Sequence, residues 1–419
     1  MFLIGIVFAK SYLTTLEIGR YETFLFLAGA VTFFWLNGII ASLLPVHNNN
    51  KTFETYRNSK KNPEFFNAFV LIFLFSTIAA ILIYNLSSFI ETDLLKREIP
   101  YKELLALYVL LGPAVYLIEF IFLLLRQPKL VIIYGTVSFF LQFVFVVTPV
   151  LFQFELYYAI LGLIAITILR WILLIVLLIK YATFKLSFPY LSEHLKVGIP
   201  LIFSSLLSGS AQYVDGFIIS NKFSEEMFAI FRYGAREFPF VVILANAFSS
   251  SMTPEFKSDS LDTVLERIKR GSIKLMHFVF PATILFLSIS NWIYPIIFNQ
   301  SFALSAKVFN IYLILVVSRM VFPQTILIGL KKTKYIMLSS IIEILLNVTL
   351  SLIFVQFWGI IGVAFATVIA YIFDKVFLII INYTILKIPP VKFIAFRYHL
   401  IYSIITVITY LIIDFFIFG

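Results

Sequence analysis

The chain has 419 residues, of which 61% are hydrophobic and 13% charged, with a formal net charge of +10. Soluble domains run at about 45–50% apolar and about 25% charged. This balance therefore excludes a soluble domain and identifies a chain that is integral to a membrane along its length. There is no cysteine, which excludes disulfides and thiolate metal sites. The four histidines, His47, His194, His277 and His399, are far apart and give no local metal motif. Neither a metal nor a cofactor is expected.

A spanning helix needs about 20 mostly apolar residues. In chain order the candidate spans are 1–13, 22–45, 65–90, 103–125, 130–152, 157–180, 197–220, 227–252, 271–298, 306–330, 335–357, 359–386 and 398–418. The first is too short to cross unaided, so a clipped first span is expected. The connections are too short to hold an extramembrane catalytic domain, and no enzyme is expected. No cleavage site follows the apolar start, so no signal peptide is expected.

Basic residues orient the spans, because Lys and Arg concentrate in cytoplasmic loops. Loops after even-numbered spans, with the span ends beside them, carry 20 Lys and Arg, and those after odd-numbered spans carry 7. The N-terminus is accordingly expected in the cytoplasm. This distribution also makes the net charge a topology signal, with no nucleic-acid partner implied.

The order of features repeats. Residues 16–45 lie over 225–254 without gaps; Glu17, Asn37, Ser42 and Pro45 fall on Glu226, Asn246, Ser251 and Pro254. In each half a proline closes the second span before a basic loop, and a tight basic turn, RQPK or KKTK, opens the fifth. An all-α integral membrane fold is expected, with two six-helix bundles as parallel repeats. The lobes are read as 1–188 and 189–386, with 387–419 an additional helix. Residues 181–196 read as a linker or interfacial helix.

Charges inside spans are costly, roughly 3 kcal/mol for an arginine on insertion scales, and mark pathways or ion pairs. The cations are Arg170, Arg232, Arg236, Arg319 and Lys375; the anions are Glu119, Asp215, Glu237, Glu343, Asp374 and Asp414. Arg232 and Arg236 stand at i and i+4, so a continuous helix places both on one face. Pro239 follows and would bend that helix. Asp215 is read either as a salt-bridge partner of Arg232 or Arg236 or as a protonatable coupling site. Arg319 has Glu343 on the next span as its expected partner, and Asp374 and Lys375 stand together on the twelfth. Glu237 points away from Arg236 and is expected to serve another contact. The aromatic residues are read as lipid-facing bulk, with Tyr12, Tyr21, Tyr157, Tyr158 and Tyr213 as interfacial anchors.

Several stretches carry a resemblance. Gly198-Ile199-Pro200 opening the seventh span, Asp215 followed by an apolar run, and Pro254 resemble the polysaccharide flippases of the multidrug/oligosaccharidyl-lipid/polysaccharide (MOP) superfamily, the O-antigen and capsule transporters. Asn347, Gly359 and Gly362 stand where that family has them, as do Gly19 and Tyr21 at the second span. The resemblance implies two lobes around a central cavity and alternating access in the bacterial cytoplasmic membrane. It implies an undecaprenyl-diphosphate-linked oligosaccharide as cargo, for O-antigen, capsule or exopolysaccharide synthesis, with glycan polymerase and glycosyltransferases as partners. Arg232, Arg236, Arg319, Arg170 and Lys375 are then candidate cavity contacts to diphosphate or acidic sugars. Asp215, Glu237, Glu343 and Asp374 are candidate ion partners or coupling sites for H+ or Na+. The rival readings are a drug/cation antiporter or a lipid II flippase of the same superfamily, and a membrane polysaccharide polymerase.

Overall fold

Long apolar runs leave the backbone no water to bond with, so each satisfies its own N–H and C=O groups as helix. The computed structural model describes residues 2–49, 61–209 and 211–418. Among these residues every regular element is helical, and the one β contact is an isolated bridge between Asn62 and Ala182. The helices are α1 (Phe2–Lys10), α2 (Thr15–Asn49), α3 (Pro63–Asn85), α4 (Lys102–Leu111), α5 (Leu117–Leu124), α6 (Pro128–Leu151), α7 (Leu156–Tyr181), α8 (Phe188–Gly209) and α9 (Ala211–Lys222). They continue with α10 (Glu225–Gly234), α11 (Pro239–Met252), α12 (Leu261–Ile297), α13 (Ala303–Leu313), α14 (Val316–Arg319) and α15 (Pro323–Gly329). The run Lys334–Thr384 holds two helices, α16 (334–358) and α17 (360–384), and α18 (Phe396–Ile413) closes the set.

The division between α16 and α17 is physical. Gly359 has φ 57° and ψ −137°, a conformation essentially closed to side chains bearing a Cβ. The pairs Ser339–Asp374 and Asn347–Thr367 then close across it, a register only an antiparallel hairpin gives. The sequence expectation of separate spans at 335–357 and 359–386 matches this hairpin.

Among the described residues nine helical runs are long and apolar enough to cross a membrane. The expected spans outside that set are the first, seventh and eighth. Helix α1 has nine residues. The seventh lies on either side of residue 210, which is outside the described residues. The eighth is interrupted at 235–238. The linker is shorter than the sequence suggests: helix resumes at Phe188, leaving only 182–187 between α7 and α8.

Contacts divide the chain into two units, Met1–Tyr213 with Phe223–Glu226, and Val214–Lys222 with Met227–Gly419. Sequence features divide the repeats at 188/189, whereas contacts divide the chain after Tyr213, because α8 packs along α2 within the first unit. Buried His194 donates from Nε2 to the Ile39 carbonyl across that packing, at 3.1 Å. Asn62 caps α3, accepting from the Glu64 N–H at 2.9 Å, with Pro63 at the first helical position where no N–H is needed. In the loop before α4, Arg97 donates to the Phe223 carbonyl at 3.4 Å. Burial pulls its guanidinium below the ordinary value, opposed by Glu225 and Glu226.

In the second unit α12 packs against α13 and α18, and α15 against the α16–α17 hairpin. Lys307 of α13 pairs with Asp414, just beyond α18, at 3.0 Å. Large apolar side chains face outward: Ile132, Phe188, Ile296 and Phe357 are each at least 70% exposed, as lipid contact requires. Tyr12, Tyr157 and Tyr158 are exposed, as interfacial anchors should be. Tyr21 is instead buried edge-on against Phe8, and Tyr213 packs on Phe26 and Phe33.

Gly359→Ala is expected to cost about 1–3 kcal/mol and to lower the melting temperature of the purified protein. Gly135→Ala, mid-helix in α6 with open space where the Cβ would stand, should leave it unchanged or raise it.

Candidate functional site

Span eight does not run through as one helix. α10 ends at Gly234, residues 235–238 are non-helical, and α11 starts at Pro239. Gly234 lets the helix end approach α13, since a Cβ there would stand 2.4 Å from the Ser305 carbonyl. Proline at a first helical position lacks only an N–H the helix does not use. A helix end in the bilayer leaves orphan carbonyls, and here each of the last five has a donor. Ser305 Oγ donates to Ile230 O at 2.7 Å and Ala235 N to Phe231 O at 2.6 Å. Arg236 Nε donates to Arg232 O at 3.2 Å, Tyr294 Oη to Tyr233 O at 3.0 Å, and Arg236 N to Gly234 O at 2.7 Å.

This corrects the expectation that Arg232 and Arg236 share a helix face. Arg232 is in the last turn of α10, and Arg236 has left the helix. Its side chain turns back onto the helix end, where a cation suits the negative pole of the dipole, and its guanidinium lies 5.4 Å from the Tyr233 ring centroid. Both arginines are half-buried.

Span ten is broken as well, between Arg319 at the end of α14 and Pro323 at the start of α15. His399 of α18 donates to the Val317 carbonyl at 2.8 Å, and Asn382 of α17 to the Pro323 carbonyl at 3.0 Å. The two interruptions meet through an ion pair. Arg319 Nε and Nη2 donate to Glu237 Oε2 and Oε1 at 2.8 and 2.6 Å. Such bidentate pairs are short and geometrically selective. The Tyr371 ring covers one face of the guanidinium, its centroid 4.9 Å from Cζ. The partner of Arg319 is therefore Glu237, not Glu343 as the sequence suggests, because the break turns Glu237 out of helical register.

Glu343 makes no hydrogen bond among the described residues, yet lies within electrostatic reach of Asp374, Lys375, Arg319 and Glu237. Lys375 Nζ pairs with Asp374 Oδ2 at 3.0 Å, and Ser339 Oγ donates to Asp374 Oδ1. The structure thus gathers Glu237, Arg319, Glu343, Asp374 and Lys375 into one ionic seam, three carboxylates and two cations.

Asp215 of α9 is 1% exposed. Its expected salt bridge to Arg232 or Arg236 is replaced by hydroxyls. Tyr312 Oη donates to Asp215 Oδ2 at 3.0 Å, and Thr367 Oγ1 lies 2.6 Å from the same oxygen. Asn347 Nδ2 donates to Thr367 Oγ1 at 3.2 Å, and Ser351 Oγ donates to Asn347 Oδ1 at 3.2 Å. The carboxylate sits in a shell of hydroxyls and one amide, drawn from α13 and the α16–α17 hairpin.

Arg170 belongs to the first unit. Its Nη2 donates to Ser138 O at 3.0 Å and Gln142 Oε1 at 2.8 Å, tying α7 to α6 beside an apolar groove of about 280 Å³. Glu119 is exposed on α5. Sequence reasoning missed Tyr294, Ser305, Tyr371 and His399, whose roles depend on breaks no local pattern announces. The spacing of Gly234 and Pro239 was the available signal.

Tyr294→Phe removes the donor to the buried Tyr233 carbonyl. A loss of about 1–3 kcal/mol is expected, read as a lower melting temperature in detergent. A variant that melts with the wild type would refute the capping account of the break.

Comparison with known proteins places this architecture. The family model described as "Polysaccharide biosynthesis protein" matches residues 51–307, more than half of the chain. A search of the curated proteins finds no match. Among solved structures, the lipid II flippase MurJ in an inward closed conformation is similar over 100% of this chain and 90% of that one, with 18% identity and a TM-score of 0.72. An inward-facing multidrug resistance MATE family transporter is similar over 96% and 94%, with 12% identity and a TM-score of 0.64. A MOP superfamily transporter from Pyrococcus furiosus is similar over 96% and 91%, with 13% identity and a TM-score of 0.53. The chain is a multi-pass membrane protein that belongs to the polysaccharide biosynthesis protein family and has the two-bundle fold of MOP-superfamily transporters and flippases.

Proposed function

We propose that the protein flips an undecaprenyl-diphosphate-linked oligosaccharide across the bacterial cytoplasmic membrane by alternating access, for O-antigen, capsule or exopolysaccharide synthesis. The observation that carries this reading is the concentration of guanidinium and carboxylate groups at the broken spans eight and ten, in a chain of a polysaccharide biosynthesis family. Interrupted helices within a membrane are tolerated where they line a cavity or are buried in protein, and transporters place their sites at such breaks.

Arg232, Arg236 and Arg319 are the proposed contacts to the diphosphate or acidic sugars, with Lys375 as a further cation along the path; Arg170, held by neutral acceptors on α6, is left out of this set. A guanidinium matches phosphate oxygens with paired donors and stays charged when desolvated. The polyprenyl tail stays in lipid. The lobes are assigned to 1–188 and 189–386, with 387–419 an added helix and the N-terminus cytoplasmic, in keeping with the basic loops. Glycosyltransferases supply the cargo, and a polymerase consumes it.

Asp215 is the proposed coupling group. Its carboxylate is met by the Tyr312 and Thr367 hydroxyls, an oxygen environment suited to a proton or to a hard cation such as Na+. Glu343 and Asp374 are secondary candidates for the same role.

Arg236→Ala is expected to abolish surface display of the cognate glycan while protein level and membrane insertion hold. Undiminished glycan would sink the anion-site assignment. Asp215→Asn should remove the dependence of export on the ion gradient. Collapsing the proton and Na+ gradients separately in vesicles identifies the ion, and a variant that keeps the wild-type dependence refutes the coupling role.

A further inference from the structure

Arg319 is held by one edge and one face. Its Nε–Nη2 edge is filled by both oxygens of Glu237, and Tyr371 covers one face of the plane. That paired edge is the surface a guanidinium offers to phosphate oxygens. Glu237 therefore occupies the place an anionic ligand would take.

Its tether differs from that of every other charge in the seam. Glu343, Asp374 and Lys375 are fixed on α16 and α17, whereas Glu237 sits in the non-helical link 235–238. None of the described backbone hydrogen bonds uses its N–H or C=O. Pro239 follows at the first position of α11. The link can swing without breaking a helix; the caps that Tyr294 and Ser305 give α10 stay in place, while those from Ala235 and Arg236 move with the link. The pair is not fully enclosed, its side chains being 21% and 22% exposed.

We infer that Glu237 is a built-in stand-in for the ligand's anion: a diphosphate displaces it from Arg319, and release of the 235–238 link reports occupancy to the two halves of span eight. The inference rests on the proposed diphosphate cargo but concerns a binding event that is measured without transport. The reaction is an exchange of ligands at one guanidinium, in which no covalent bond changes.

The test uses inorganic pyrophosphate and the purified full chain in nanodiscs, with affinity read by calorimetry. Glu237→Gln should bind pyrophosphate about tenfold more tightly than wild type, a change of roughly 1.4 kcal/mol. Glu343→Gln removes the same charge nearby without vacating the guanidinium edge and should gain much less. Arg319→Lys in the Glu237→Gln background should lose the gain. Glu237→Asp, which keeps the charge but shortens the reach, should bind more tightly than wild type and covers the case in which the Gln variant does not fold.

Equal gains in Glu237→Gln and Glu343→Gln would reduce the effect to bulk electrostatics and overturn the inference, as would no gain in Glu237→Gln or Glu237→Asp. Nanodiscs of anionic and zwitterionic lipid separate cargo from bilayer. Equal affinities support a cargo diphosphate, whereas loss of the gain in anionic lipid assigns the edge to headgroups and overturns it. If Arg319→Lys leaves glycan export intact while these affinities hold, the assignment of Arg319 as a cargo contact fails and the exchange stands.

Discussion

The bidentate pair between Arg319 and Glu237 is the constraint around which the second unit is organised. A guanidinium in the low-dielectric layer needs a matched acceptor, and a carboxylate there needs a matched donor. The pairing is available because Glu237 has left helical register. That requires α10 to stop at Gly234, and a helix end in the bilayer is tolerable only if its carbonyls find donors. Tyr294, Ser305, Ala235 and Arg236 supply them. The break in span ten is served in the same way by His399 and Asn382. One ion pair thus accounts for two interrupted spans and for several polar residues on four neighbouring helices.

The residues whose partners were legible in the sequence are those whose partners are local. A run of apolar residues is a local property, so most of the spans and the division at Gly359 could be read directly. Arg232 and Arg236 show the limit. Their shared face follows only if the helix continues, and hydropathy is blind to a four-residue interruption that stays apolar on both sides. Asp215 shows a second limit. It meets Tyr312 and Thr367, 97 and 152 residues away, and hydroxyls carry no charge signal to set against the nearby arginines. Glu237 was expected to serve some other contact, but its partner, 82 residues on, became identifiable only once the break was known.

The two units satisfy their buried cations differently. Arg170 in the first is met by a carbonyl and an amide oxygen, which are neutral acceptors fixed on α6. Arg319 in the second is met by a full carboxylate on a link that can move. A neutral acceptor leaves the guanidinium charge uncancelled but gives it no exchangeable partner, which suits a strut between helices. A carboxylate cancels the charge and shares the chemistry of an anionic ligand, which suits a site. The sequence alone ranks these arginines equally; their partners separate them.

That distinction also explains how such a pair could be stable yet responsive. Pulling one partner from a buried pair costs about 3–5 kcal/mol when nothing replaces it, so the link stays closed on its own. A diphosphate offers the same paired oxygens to the same edge, and Arg319 is already desolvated and oriented by Tyr371. Exchange therefore avoids most of the penalty that simple opening incurs. A site built this way opens when a matching anion arrives and otherwise remains shut. This is a means of tying helix movement to cargo that a permanently vacant arginine would not supply.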